Sequence, residues 1–205
     1  MKLVIASGNR GKLAEFDDLF RGSGIDCIAQ GALGVADIEE TASTFVENAL
    51  LKARYAARAS GLPTLADDSG LCVDILGGAP GLYSARYAGI QGDASANIAK
   101  LLEAMKDVPE ARRNAHFHAV IVLLRRHDDP QPVIAEGSWH GRILEAPRGT
   151  GGFGYDPVFF DPVNRCSAAE LEPAIKNLIS HRGQALAVLK QRIAGLFAGA
   201  APAAT

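Results

Sequence analysis

Two adjacent carboxylates, Asp67 and Asp68, followed by Ser69-Gly70, are the residues of this sequence best placed to do chemistry. Glu39, Glu40 and Asp74 extend them to an acidic set. Carboxylates side by side repel, and a cation relieves that repulsion. Oxygen-only donors favour magnesium, with manganese as a substitute. A carboxylate beside such an ion can take a proton from water and so make a nucleophile next to a phosphate. The competing reading is a solvated turn with an aspartate cap.

Four further groups bear on the same chemistry. Ser7-Gly8-Asn9-Arg10-Gly11-Lys12 lies between an apolar run and an amphipathic one. A small polar loop in that position offers backbone N–H groups and a positive helix end to a phosphate, and Lys12 adds a point charge. It is not a Walker A loop, because Ala6 and Leu13 occupy the places of the first Gly and the Ser/Thr. An ordinary capped turn is the alternative. Thr44, Asn48 and Lys52 are spaced by four and share a helix face, which looks either into a cleft or into water. In the run from Gly151 to Pro157, Phe153 stands between glycines and presents a flat face on which a base can stack, unless the ring folds into the core. Asp156 in the same run can accept from a ring N–H. Lys176 with Ser180-His181-Arg182-Gly183 gathers donors suited to an acceptor-rich base edge, although His181 also reads as a structural contact at a helix start. His116 and His118, on alternate positions of a strand, read as structural.

The elements that must position these groups follow from periodicity and punctuation. Leu3 to Ala6 reads as a buried strand, and a helix from about Lys12 puts Leu13, Phe16, Leu19 and Phe20 on one face. A second strand covers Ile25 to Ala29. Thr44-Phe45-Val46-Glu47 fits a capping box, and the helix it opens ends near Gly61-Leu62-Pro63. Thr64 to Ala66 is a strand entering the acidic segment, and Leu71 to Leu76 leaves it as another. Ala94 to Lys106 reads as a helix and His116 to Leu124 as a long strand. Val133 to Trp139 and Arg142 to Leu144 read as two strands around a tight turn at Gly141. Val158 to Phe160 is a short strand, Ala168 to Leu171 a short helix, and Ser180 to Phe197 a long one. The mixture predicts a single α/β domain over residues 1–198, with a mixed, twisted sheet and a cleft beside it, and a frayed tail over 199–205.

Composition narrows the partners. The chain has 205 residues, 48% hydrophobic and 21% charged, as in a packed globular protein. A formal net charge of −2 gives no basic excess for a polymeric nucleic acid, while a local Lys/Arg cluster still serves a small anion. Cys27, Cys72 and Cys166 form no CxxC pair and read as free thiols of a reducing compartment. No apolar run approaches a membrane span or a signal-peptide core, so a cytoplasmic protein is expected.

Taken in order, these motifs resemble the inosine triphosphate pyrophosphatase family. The resemblance runs from Leu3 to about Leu189. It rests on Ser7 to Lys12, Phe45-Val46-Glu47-Asn48-Ala49, Ala66 to Leu71, Gly77-Gly78-Ala79-Pro80-Gly81, Tyr83-Ser84-Ala85-Arg86-Tyr87, Gly151 to Pro157, and Ile179 to Gly183. It implies an elongated mixed sheet between two lobes, a homodimer, and magnesium-dependent hydrolysis of non-standard purine nucleoside triphosphates (ITP, dITP, XTP) to monophosphate and pyrophosphate. It implies that Ser7, Gly8, Asn9, Arg10, Gly11 and Lys12 take the phosphate end, with Lys52 reaching the phosphates. Asp68 resembles the family's general base and, with Glu40, its magnesium site. Ser69 is similar to a substrate-contacting serine. Phe153, Gly154, Tyr155, Asp156, Lys176, His181 and Arg182 would form the nucleoside pocket. The segment Glu172-Pro173-Ala174-Ile175 departs from the more acidic stretch usual there. Two rivals stand beside this reading: a pyrophosphatase for modified pyrimidine or methylated nucleotides, and a non-catalytic nucleotide sensor.

Overall fold

The computed structural model describes residues 1–193, without the side chains of Arg10 and Leu19. The expected tail, the last turn of the final helix, the inward placement of Leu19 and the phosphate role of the Arg10 side chain lie outside the described residues.

Seven strands form one mixed sheet in the order β2-β1-β3-β4-β5-β6-β7. They are β1 (Lys2–Ala6), β2 (Asp26–Ala29), β3 (Thr64–Val73), β4 (Asn114–Leu124), β5 (Val133–Ile143), β6 (Phe159–Asp161) and β7 (Cys166–Ser167). β1 runs parallel to β2 and β3, and every later pairing is antiparallel. The helices are α1 (Arg10–Phe20), α2 (Phe45–Ser60), α3 (Ala94–Ala104), α4 (Pro173–Ile179) and α5 (His181–Ile193).

Strand alternation divides the core. On one face, Leu3, Ile5, Leu65, Ile121 and Leu123 pack against Phe16 and Phe20 of α1 and Ala185, Leu186 and Leu189 of α5. On the other, Val4, Ala6, Ala66, Val120 and Val122 meet an alanine stripe of α2, Ala49, Ala53 and Ala56. A third cluster fills the far half of the sheet, with Leu71, Val73, Phe117, Trp139 and Phe159 against Leu101 of α3 and Met105 at its C-cap. Helix α2 starts at Thr44, whose Oγ1 accepts from the Glu47 amide at 3.2 Å. Glu47 answers by accepting from the Thr44 hydroxyl at 2.8 Å rather than from a backbone amide.

Three expectations are corrected. The acidic segment is no break between strands: Thr64–Val73 is one strand, paired with β4 along its whole length. The polar run stays extended because β4 supplies a continuous ladder and because Gly70 admits the Gly81 carbonyl where a methyl would collide. Val133–Ile143 is likewise one strand with no turn at Gly141, whose missing side chain leaves room for the Phe160 backbone and the Phe159 ring. The short helix lies at Pro173–Ile179 instead of Ala168 to Leu171, with proline in its first turn, where no amide is needed.

Candidate active site

β1 and β3 pair from Val4↔Thr64 to Ala6↔Ala66 and then part. β1 gives way to the loop 7–9, while β3 runs straight on into Asp67 and Asp68. The crevice at the carboxyl ends of parallel strands is where α/β sheets take their ligands. Side chains alternate along a strand, so the two adjacent aspartates face opposite sides of the sheet.

Asp67 faces α1 and α5. Lys12 Nζ stands 3.1 Å from its Oδ2, and Arg182 Nε 3.2 Å from its Oδ1. Arg182 also reaches Glu15 at 2.7 Å and donates to Ser69 Oγ at 3.0 Å. Asp68 faces α2. Lys52 Nζ donates to Asp68 Oδ1 at 3.0 Å and to Glu40 Oε1 at 2.7 Å, and Arg86 approaches the other Glu40 oxygen at 3.4 Å. The pleat therefore separates the adjacent carboxylates, and each has its own lysine.

Their titration diverges accordingly. Burial opposes the charge on Asp67, but Arg182, Lys12 and Lys52 outweigh it and hold the carboxyl well below its usual range. Burial pushes Asp68 up, and Glu40 adds to the shift while Lys52 pulls against it. Asp67 is thus a fixed anion, whereas Asp68 is biased toward taking up a proton. Burial pulls the Lys12 ammonium down. It also works against Lys52, where Asp68 and Glu40 prevail and raise the pKa.

Asp68 Oδ2 is buried and lacks a hydrogen-bond partner. Asp67 Oδ2 has only the Lys12 ammonium nearby, misaligned for a hydrogen bond. A buried, unsatisfied carboxylate oxygen calls for an explanation, and a ligand position is one. Glu40 and Asp68, joined through Lys52 Nζ, form an oxygen-only pair with one free buried oxygen. That donor set fits magnesium, which takes one or two carboxylates and completes its shell with water and substrate phosphates. Among the described residues no group of three His, Cys, Asp or Glu could hold a metal.

The loop 7–12 is partly self-satisfied. Ser7 Oγ accepts from the Asn9 amide at 3.1 Å, and Asn9 Oδ1 caps α1 by accepting from Gly11 at 2.9 Å and Lys12 at 3.2 Å. A methyl on Gly8 would meet the Asp37 carboxylate, and one on Gly11 would touch the Phe153 ring. The glycine-rich loop therefore lies beside the loop 7–12. Phe153 is 44% exposed, so its ring is outside the core. The Asp156 carboxylate accepts from the Phe153 amide at 2.7 Å and pairs with Lys176, whose Nζ lies 4.8 Å from the Phe153 ring centroid. Arg182 Cζ is 6.0 Å from that centroid. His181 stacks on Phe117 at 4.8 Å with its Nδ1 buried and unpartnered. Burial and the Arg182 charge push this imidazole far below its ordinary pKa, so it is neutral.

Contacts thus join Lys12, Asp67, Ser69, Arg182, Phe153, Asp156 and Lys176 into one group, and Lys52, Glu40 and Asp68 into another on the opposite side of β3. Tyr155 presents itself in neither: it is buried, and its hydroxyl donates to the Ser84 carbonyl at 2.9 Å. Gly154 adopts a φ of 61° at the turn before it. Glu39 is exposed and makes no contact with Asp68, and Asp74 lies near His116. The Thr44-Asn48-Lys52 stripe looks inward past its cap: Asn48 is buried and accepts from the Ala42 amide at 3.0 Å, which fixes the segment carrying Glu40. Two contributors went unassigned in the sequence: Glu15 and Arg86. Glu15 stands one turn beyond Lys12, and Arg86 lies within a quoted motif, but nothing local states that their partners are Arg182 and Glu40.

Comparison with known proteins now adds to this geometry. Residues 3–192 match the model of the Ham1 family. A dITP/XTP pyrophosphatase of Xanthomonas campestris pv. campestris is 62% identical, with 95% of this chain and 98% of the relative aligned. One of Vibrio cholerae is 54% identical over 94% and 96%. Among solved structures, a HAM1 protein from Coxiella burnetii matches with a TM-score of 0.89 at 50% identity, covering 95% of this chain and 98% of that one. A nucleoside-triphosphatase, or dITP/XTP pyrophosphatase, from Mycobacterium abscessus matches with a TM-score of 0.75 at 42% identity, over 92% and 98%.

Proposed function

Because this chain belongs to the Ham1 family, we propose that it hydrolyses non-standard purine nucleoside triphosphates, ITP, dITP and XTP, to the monophosphate and pyrophosphate, and so clears them from the nucleotide pool. The observation that carries the reading is Asp68: a buried carboxyl pushed upward, with a free Oδ2, tied through Lys52 to Glu40 at the mouth of the phosphate loop.

Lys12 and the loop Ser7 to Gly11 hold the triphosphate, and Lys52 adds charge from the α2 side. Asp68 takes a proton from a water in the crevice. The water oxygen bonds to the α-phosphorus, the bond to the bridging oxygen breaks, and pyrophosphate leaves with the electron pair. Glu40 and Asp68 would hold magnesium (or manganese in its place), which would supply positive charge against the charge that develops on the phosphate oxygens. No covalent intermediate on the chain is required.

Phe153 offers the stacking face for the base. Lys176 and Arg182 bring donors to 4.8 and 6.0 Å from its ring centroid, and His181, the neighbour of Arg182 in the chain, is the third donor of the proposed pocket; such donors match the 6-oxo acceptor of hypoxanthine and oppose the 6-amino donor of adenine. Arg182 and Lys176 are already paired with carboxylates, so their remaining N–H groups do the reading. A site built to donate rejects a substrate that cannot accept, by about 10⁴-fold or more. The same reading includes a homodimer and a reducing, cytoplasmic setting, the latter in keeping with three free thiols. No helix among the described residues is long and apolar enough to cross a membrane. The decisive assay is pyrophosphate release with magnesium, comparing kcat/KM for ITP, XTP, GTP and ATP. Comparable values for ITP and ATP defeat the pocket argument, and no release from ITP defeats the activity.

A further inference from the structure

One further carboxylate, outside the acidic set, is turned onto the loop 7–12. A Cβ on Gly8 would stand 2.9 Å from Asp37 Oδ2, so this carboxylate lies directly against the loop backbone. Its position is built by the chain around it. The parallel register Ile5↔Ala29 brings Gln30, the residue after β2, level with Ala6, the last residue of β1. Gln30 opens a short 3-10 turn, Gln30–Leu33, and Gly34 leaves that turn in the left-handed region at a φ of 71°. The Val35 amide donates back to the Gln30 carbonyl at 3.1 Å, and Val35 packs into the cluster that holds Ala6. This closure returns the chain to Gly8. Gln30 is 6% exposed, and its Nε2 donates to Asp37 Oδ1. One oxygen of the carboxylate is thus held by a buried side chain, and the other faces Gly8.

On the reading that the loop 7–12 receives the phosphate end of a triphosphate, on which this inference rests, we propose that Asp37 is a specificity-determining residue: it repels the phosphate end and so favours the magnesium-complexed triphosphate over the free one.

Lys12, Lys52 and the start of α1 attract any polyphosphate. A carboxylate beside the same loop opposes every anion there, in proportion to the charge the anion carries. A divalent cation bound to the triphosphate cancels part of that charge. The penalty therefore falls hardest on the metal-free triphosphate, which arrives without the ion that the proposed hydrolysis needs. The same repulsion loosens pyrophosphate once it has formed. Glu40 and Asp68 share the Lys52 ammonium, whereas the bond that Gln30 gives Asp37 comes from a neutral amide and orients the carboxylate without cancelling its charge. Asp37 is exposed overall, so salt screens its effect.

The test is calorimetric binding of pyrophosphate to the full chain at low ionic strength, once with a chelator and once with excess magnesium chloride. Asp37→Asn keeps the shape and an oxygen for Gln30 and removes the charge, and at an exposed position it should fold. It should tighten metal-free pyrophosphate at least roughly threefold, the scale of one partly exposed charge acting on a multiply charged anion, and tighten the magnesium complex less. The gain should vanish in ~1 M salt, where the Debye length is about 3 Å. With ITP in excess over magnesium, turnover of the variant should fall off more steeply than that of wild type. Unchanged or weaker pyrophosphate binding in Asp37→Asn, an equal gain with and without magnesium, a gain that survives ~1 M salt, or a wild-type fall-off with excess ITP would each overturn the proposal. Lys12→Ala separates it from the reading beneath it. Weaker pyrophosphate binding in Lys12→Ala with no gain in Asp37→Asn refutes the role of Asp37 alone. Pyrophosphate that ignores both substitutions, or binds neither wild type nor variant, refutes the phosphate role of the loop as well.

Discussion

Replacing Arg182 with methionine tests whether the charges of the crevice are organised as the distances indicate. Arg182 is 2% exposed and serves three groups at once: Glu15 at 2.7 Å, Asp67 at 3.2 Å and Ser69 at 3.0 Å. Methionine keeps much of the buried bulk and removes the charge. Asp67, 1% exposed, is then left with Lys12 as its nearest cation, and Glu15 loses its partner. Removing one member of a buried ion pair costs about 3–5 kcal/mol, because the other charge stays buried without compensation. For a chain of this length each kcal/mol moves Tm by about 2–4 °C, so the variant should melt roughly 6–20 °C below wild type near neutrality. The sign of the pH dependence follows from Asp67. Its folded-state pKa is depressed, so its ionisation stabilises the native chain above the unfolded pKa, and that stability is lost as pH falls toward the folded value. Without Arg182 the depression shrinks. The gap between wild type and variant is therefore full at neutral pH and narrows as pH drops below about 4, the ordinary aspartate value. Adding Asp67→Asn to the methionine variant should recover part of the loss, since the uncompensated charge is then gone. Thermal unfolding at several pH values measures all of this. A variant as stable as wild type near neutrality, or a deficit that grows on acidification, refutes the assignment of Arg182 as the anchor of Asp67.

Three further outcomes are expected. Asp68→Asn should lower ITP turnover with magnesium at least roughly a hundredfold, as for loss of a general base, yet melt no lower than wild type, because burial already disfavours the Asp68 charge; a folded variant with normal turnover, or wild-type turnover in excess chelator, contradicts the role of Asp68 and its metal. Lys12→Ala should reduce kcat/KM for ITP by about 10- to 150-fold, the equivalent of one charge-assisted contact of ~1.5–3 kcal/mol, and unchanged kinetics would separate the loop from the phosphates. Light scattering at micromolar concentration should give twice the chain mass, and a monomer mass contradicts the proposed homodimer.

Much of the site was legible because its parts are local. The capped start of α2 at Thr44, the loop Ser7 to Lys12 after a short apolar strand, and Phe153 among glycines each declare themselves within a few residues. The breaks that the sequence implied at Asp67 to Gly70 and at Gly141 failed for one shared reason. Polar and glycine residues usually mark turns, but here the glycines make room for other backbone. Gly70 admits the Gly81 carbonyl, Gly141 admits Phe160, and Gly137 lets α5 lie against β5. Such a close approach has no trace in the neighbouring residues, because the approaching group comes from elsewhere in the chain.

The sequence by itself determined which functional groups are available: carboxylates of the kind a hard cation prefers, lysines and a capped helix start of the kind that suits an anion, and an exposed aromatic face. It determined these because residue type sets donor softness, charge and shape regardless of the fold. Only the tertiary structure decided how the carboxylates divide their work. Asp67 and Asp68 differ by one position, but a continuous β3 turns one toward Lys12 and Arg182 and the other toward Lys52 and Glu40. One is thereby held ionised and the other pushed upward. The same pleat and register set Cys72, His116 and His140 in a row, although 68 positions separate the first from the last. A pKa depends on burial and on charges within a few ångströms, and in a sheet those neighbours are chosen by strand register, which brings together residues far apart along the chain.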